Sequence, residues 1–128
     1  MTMAVKQEFE FPKLKTFRAR LVRVIDGDTA EVELDLGFGI TATQRLRLLG
    51  INACELHSKV PEEVVLALAA KKRLGELLAN NGNLWNLSIT TSKTEKYGRW
   101  LALIVTKDIT MAEVGQQLLA EGLAKIDV

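Results

Sequence analysis

Ala30, Val32, Leu34 and Leu36 are apolar, while Glu31, Glu33 and Asp35 between them are acidic. A strict period of two belongs to a β-strand with one face buried and the other in water, and a helix cannot satisfy it. "DGDT" (Asp26 to Thr29) and "GFG" (Gly37 to Gly39) bound this strand with turn residues. In the first turn Gly27 is expected to supply a positive φ. The flanking segments also read as strands. Phe17 to Ile25 is mostly β-branched, apolar or arginine, with Phe17, Ala19 and Leu21 on one face and Val22 and Val24 on the other. That change of parity predicts a bulge or a strong bend, as at a barrel corner. On the far side Ile40, Ala42, Leu46 and Leu48 form the inner face of a third strand, which turns Arg45 and Arg47 to the opposite face.

After three strands the period changes. Pro61 suits a first helical turn. Val64, Leu68, Leu74 and Leu78 then space an amphipathic helix of about twenty residues, ended by Asn81-Gly82. Trp85, Leu87 and Ile89 alternate as a fourth strand, and "RWLALIV" (Arg99 to Val105) is a fifth with apolar residues on both faces. Thr110 and Glu113 make a capping box for a helix that runs to Glu121 and stops at Gly122. Three strands, a helix, two strands and a helix suit a mainly β fold of the α+β class. The arrangement is a five-stranded OB-fold barrel, with one helix between strands three and four and a second, C-terminal helix. An open sheet packed by helices is the competing arrangement. Residues 1–16 read as an N-terminal arm and 17–128 as one domain, and 128 residues suffice for a real core.

Composition excludes more than it assigns. With 17 basic and 16 acidic side chains the net charge is +1, which demands neither a nucleic acid nor an acidic partner. Lys13, Lys15, Arg18, Arg20 and Arg23 form a local basic run, either a solvated strand face or a hold for a polyanion. One cysteine, Cys54, leaves no internal disulfide and fits a reducing compartment. The N-terminal stretch has no apolar region of signal-peptide length, and no segment is long enough to span a bilayer. These features describe a soluble, cytoplasmic chain with no membrane partner, taken as a monomer.

Three short stretches carry candidate chemistry. Asp26 and Asp28 of "DGDT" flank a glycine, so they read either as a plain hairpin turn or as a pair of oxygen ligands for a hard cation. "RLLGINACE" (Arg47 to Glu55) sets an arginine before a glycine-centred turn and a glutamate after it. "KYGR" (Lys96 to Arg99) is a good turn, and its lysine and arginine can also converge on one phosphate. A guanidinium presents a planar fork that matches phosphate oxygens better than an ammonium does.

Together, in this order and at this spacing, the three stretches resemble the staphylococcal nuclease (thermonuclease-like) family. The similarity continues through "MAEVGQQLLAEGLAKI" (Met111 to Ile126), so it spans roughly Phe17 to Ile126. The resemblance implies the OB-fold and a Ca²⁺-dependent nuclease that acts on DNA, and perhaps on RNA, with little sequence preference. It implies that Arg47 and Arg99 grip the scissile phosphate and that Glu55 activates the attacking water. Asp28 matches a Ca²⁺ ligand, Asn52 falls at a second ligand position, and the backbone carbonyl of Ala53 completes the set. Asp26 matches a supporting carboxylate behind the ligands. Lys96 and Tyr97 match positions that hold another phosphate of the bound nucleotide.

This sequence departs from the pattern in two places. Asn52 is neutral where an aspartate is usual, which implies weaker cation binding, and Cys54 replaces a proline whose fixed φ would help aim Glu55. Tyr97 is the only tyrosine, so base stacking is expected to be poor or to fall to Trp100. His57 is expected in a loop over the site, without a catalytic role. The alternative to the enzyme is a catalytically weak or inactive OB-fold module that binds nucleic acid or protein.

Overall fold

The computed structural model describes residues 15–79, 85–94, 98–106 and 113–127. Five strands close a barrel in the order β1 (Lys15–Asp26), β2 (Thr29–Asp35), β3 (Thr41–Leu48), β6 (Trp100–Thr106) and β5 (Leu87–Thr94). All neighbours are antiparallel except β3 and β6, which run parallel. Helix α1 (Pro61–Leu78) lies between β3 and β5 in sequence, and helix α2 (Val114–Ala120) follows β6. This is the expected OB-fold barrel. A two-stranded sheet that the sequence did not announce pairs β4 (Ile51–Asn52) with β7 (Lys125–Ile126).

The alternating strand behaves as its pattern requires, with Ala30, Val32 and Leu34 buried and the acids between them partly exposed. The register of β1 against β2 shifts between Leu21 and Arg23 and again between Val24 and Asp26. Val22 is the residue left facing water, while Val24 returns to pack against the core, so the parity change is a bulge. The expected inner positions fail at the hairpin tip: Leu36 and Ile40 are exposed, because Gly37, Phe38 and Gly39 all take positive φ and turn the chain away from the barrel.

Helix α1 corrects the expected apolar stripe. It buries Ala67, Ala70, Leu74, Leu77 and Leu78, whereas Leu68 is 56% exposed. The reason is close approach. A methyl group added at Gly27 would lie 2.6 Å from the Ala70 Cβ and 2.8 Å from the Ala53 Cβ. Gly27 does not have a positive φ, so its value lies in lacking a side chain. The helix ends at Leu78, and the Asn86 amide donates to the carbonyls of Leu78 and Ala79. The expected stop at Asn81-Gly82 lies outside the described residues.

Helix α2 is capped differently from the expected box. Glu113 is the N-cap itself, and its carboxylate accepts from the amides of Gly115 (3.0 Å) and Gln116 (2.8 Å). Thr110 lies outside the described residues. At the other end Gly122, with φ +74°, lets the Leu123 amide donate back to the Leu118 carbonyl, which closes the helix as expected.

On the outer face of the barrel the basic run becomes a cross-strand ladder. Arg18 pairs with Asp35, Arg20 with Glu33, and Glu31 is shared by Arg23 (3.4 Å) and Arg45 (3.5 Å). Arg18 and Arg20 also lie over the Trp85 ring, 5.7 and 5.4 Å from its centroid. Most of these arginines are thus matched within the sheet.

Glu121 ties the two helices together by accepting from Arg73 Nε (2.8 Å) and from Gln117 Nε2 (2.7 Å). The Arg73 hydrogen bonds, then that of Gln117, hold its carboxyl below the ordinary value. A carboxyl whose pKa is lowered by folding stabilises the fold above its unfolded value and loses that contribution as pH falls through the folded one. Glu121→Gln should therefore lower the melting temperature at pH 7, and the difference from wild type should shrink as successive melts are taken to lower pH.

Candidate active site

Two hairpin registers bring the site together. Asp26 pairs with Thr29 across the Gly27-Asp28 turn, and Thr29 pairs with Arg47 in β3. Arg47 in turn lies beside Leu101 of β6. The row Thr29, Arg47, Leu101 therefore crosses three strands on the outer face of the barrel. Arg99, two residues before Leu101, shares that face. Gly50, with φ +80°, then breaks β3 and turns the chain so that Asn52, Ala53 and Glu55 return along the same wall.

Asp28 anchors the group and is nearly buried. One carboxylate oxygen accepts from the Thr29 hydroxyl (3.0 Å) and the other from the Ala53 amide (3.0 Å). Arg99, just before β6, donates to the same Thr29 hydroxyl at 3.2 Å, so Thr29 links it to the Asp28 carboxylate. Arg47 donates to Asn52 Oδ1, lies 3.6 Å from Asp28 Oδ2, and donates to the Leu48 carbonyl at 3.4 Å. The Nη1 that donates to the Leu48 carbonyl is also 3.7 Å from Asp127 Oδ2. The Asp127 amide donates to the Gly50 carbonyl at 2.9 Å, which holds that carboxylate beside Arg47.

These residues wall one open cavity of about 810 Å³. Asp26, Asp28, Arg47, Asn52, Glu55 and Arg99 all face it. Ala53, Cys54 and His57 also line it, with Glu55 and His57 exposed on its rim and Cys54 a free thiol. The structure thus gathers every described residue that the sequence singled out for catalysis or cation binding. Lys96 and Tyr97 lie outside the described residues. Thr29 and Asp127 were missed. Thr29 could have been found from the hairpin register, since a two-residue turn at Gly27-Asp28 sets it opposite Asp26 and beside Arg47. Asp127 carried no such signal, because β4 and β7 are too short to show a period.

The donors suit a hard cation: carboxylates, an amide oxygen and backbone, with no soft ligand required. Asp28 keeps unused lone pairs on both oxygens, because each accepts one hydrogen bond. Among the described residues no three His, Cys, Asp or Glu side chains form a ready ligand cluster. Asp28 and Asn52 are joined by Arg47, and Ala53 turns its N–H toward Asp28. The donor types fit a hard cation, but Arg47 would have to release the Asn52 oxygen before Asp28 and Asn52 could share one.

The sequence model of one family, described as staphylococcal nuclease homologue, matches residues 45–128. The chain belongs to that family. The matched span holds Arg47, Asn52, Glu55 and Arg99 together with both helices and β7, while Asp26 and Asp28 precede it and join through hairpin register. No curated protein matches the chain. Membership makes this staphylococcal nuclease homologue a nuclease-like or nucleic-acid-binding module on an OB-fold barrel, and the family is generally one of nucleases. No described helix is long and apolar enough to cross a membrane.

Proposed function

We propose that the protein is a Ca²⁺-dependent phosphodiesterase that hydrolyses nucleic acid with little sequence preference, DNA being the first candidate substrate and RNA the second. The observation that carries this reading is the convergence of Arg47 of β3 and Arg99, at the entry to β6, on one cavity with Asp28 and Glu55. The two guanidinium forks bind the phosphate oxygens and offset the charge that grows on them as the pentacoordinate state forms. Glu55, exposed at the rim, takes a proton from water as the water oxygen bonds to phosphorus. The P–O ester bond then opens, and its electron pair leaves with the ester oxygen, which is protonated by solvent. Asp28, the Asn52 side-chain oxygen and the Ala53 carbonyl would hold the cation, with Asp26 supporting them from behind. Bound Ca²⁺ supplies Lewis-acid polarisation of the phosphate.

Little sequence preference follows from gripping phosphate rather than base edges. Lys96 and Tyr97 are assigned to a neighbouring phosphate. The domain is taken as 17–128, monomeric and cytoplasmic, and the free thiol of Cys54 suits that setting. The second reading, a non-catalytic nucleic-acid-binding or protein-binding module, draws on the neutral Asn52 and on its bond to Arg47. Degradation of single-stranded DNA with Ca²⁺ and with EDTA separates the two. Calcium-dependent loss of the substrate is the expected result, and binding without cleavage under both conditions would select the module.

Asn52 gives a sharper test of the cation assignment. Asn52→Asp adds a formal charge beside Asp28 with almost no change in shape, and ligand charge tunes Ca²⁺ affinity. We expect binding tighter by about tenfold and half-maximal cleavage at lower Ca²⁺, measured by calorimetry and by rate. Unchanged affinity would remove this side chain from the ligand set.

A further inference from the structure

Arg99 stands between two cavities. It lines the active-site cavity with Asp28, and also a polar cleft of about 640 Å³ with Glu31, Thr43, Gln44 and Arg45. The Glu31 carboxylate would accept from a guanidinium that turned into the cleft. Arg99 sits between Gly98, with φ +82°, and the first residue of β6, and its side chain has several rotatable bonds. Some contact must choose the side on which its fork is presented.

Thr29 makes that choice. Its hydroxyl lies 3.2 Å from Arg99 Nη1 and 3.0 Å from Asp28 Oδ1. A hydroxyl has one proton to give and two lone pairs to receive, whereas a carboxylate only accepts and a guanidinium only donates. The Thr29 proton therefore points at Asp28, and a lone pair is turned to Arg99. No other assignment satisfies both neighbours. Asp28 lines the active-site cavity and is absent from the described wall of the cleft, so this bond biases the fork toward the active site.

The hydroxyl itself is well fixed. Thr29 is 1% exposed, and the strand register pins its backbone between Asp26 and Arg47. A β-branched side chain has few rotamers. Asp28, which receives the proton, is held in turn at its other oxygen by the Ala53 amide. The hold is also neutral. A carboxylate in this place would oppose the charge of the guanidinium, whereas a hydroxyl orients the group and adds no charge of its own.

We propose that Thr29 is a positioning residue that acts through Arg99: its hydroxyl, aimed by Asp28, presents the Arg99 fork to a phosphate in the active-site cavity. The proposal rests on the nuclease reading of that cavity. A donor set in place beforehand needs no reorganisation as charge grows on the phosphate. Its benefit is largest in the transition state, so losing it falls on kcat more than on KM.

Thr29→Val removes the hydroxyl with little change in shape, and Thr29→Ser keeps it. Both are read first by NMR in EDTA without substrate, from rotation of the Arg99 guanidinium about its Cζ–Nη bonds, with Arg99→Lys identifying the signal. Rotation should be slow in wild type and in Thr29→Ser, and faster in Thr29→Val. The Arg47 signal should stay the same throughout, because its bonds to Asn52 and Leu48 do not pass through Thr29. A general loosening of the site would move both signals. On single-stranded DNA with Ca²⁺, Thr29→Val should lower kcat by about 10- to 100-fold with KM little changed, and Thr29→Ser should restore most of the rate. An Arg99 signal indifferent to Thr29→Val, or equal losses in the serine and valine variants, overturns the proposal and leaves the nuclease reading standing. If Thr29→Val does not fold, wild type decides: an Arg99 that rotates as fast as free arginine overturns the proposal. If wild type cleaves no nucleic acid, the nuclease reading fails and the positioning role falls with it.

Discussion

Arg47→Ala should lower the rate of phosphodiester cleavage by about two to three orders of magnitude, the usual cost of removing one donor aimed at developing charge. Arg99→Ala and Glu55→Gln should cost similar factors. The three act as one unit, so double variants should lose much less than the product of the single losses. Arg47→Lys separates charge from shape: it keeps the cation but loses the planar fork, and most of the rate should go with the fork. The fold should survive each change, because Asp28 keeps its bonds from the Thr29 hydroxyl and the Ala53 amide when Arg47 is absent. Initial rates on single-stranded DNA, with thermal melts as the control, settle the point. A folded Arg47→Ala protein of full activity would end the catalytic assignment.

Gly27→Ala should destabilise the fold by about 1–3 kcal/mol, the range for overpacking a tight contact. The added methyl would meet Ala70 Cβ at 2.6 Å and Ala53 Cβ at 2.8 Å. Neither methyl can rotate away, since each is fixed directly to the backbone. The strain would also reach the site, because the turn holds Asp28 and the second contact is the residue whose amide binds it. Ala70→Gly in the same chain should restore much of the loss, less about 1 kcal/mol for glycine inside a helix. Urea denaturation measures both effects. An unchanged midpoint for Gly27→Ala would mean that α1 does not rest on this turn.

Local periodicity made the barrel legible. Ala30, Val32 and Leu34 could be placed because alternation depends only on neighbours, and the bulge at Val22 showed as a broken alternation. Leu68 and Ala70 show where this reasoning stops. Hydropathy favours leucine as the buried residue, but the interface is set by how closely a helix can approach a glycine turn, and alanine allows the closer approach. Gly27 was singled out correctly and explained wrongly, since its role depends on a helix some forty residues further along the chain. At the site, Arg47, Glu55 and Arg99 were singled out by the order of the motifs that carry the family resemblance, and the fold brings them to one cavity. Thr29 and Asp127 act through partners that only tertiary structure supplies.

The two-residue pairing of β4 with β7 has a consequence for when the site is completed. Ile51 and Asn52 find their partners in Ile126 and Lys125, and the same segment delivers Asp127 to Arg47. Contacts between such distant segments need a large loop to close first, so they form late in folding. A ribosome releases the arginine and the glutamate well before this strand, and a growing chain holds the reactive groups without their final brace. A chain stopped at residue 124 should keep its closed barrel, whose strands end at Thr106, yet show faster hydrogen exchange at Asn52. Equal protection at Asn52 in the two chains would show that the site is braced without β7.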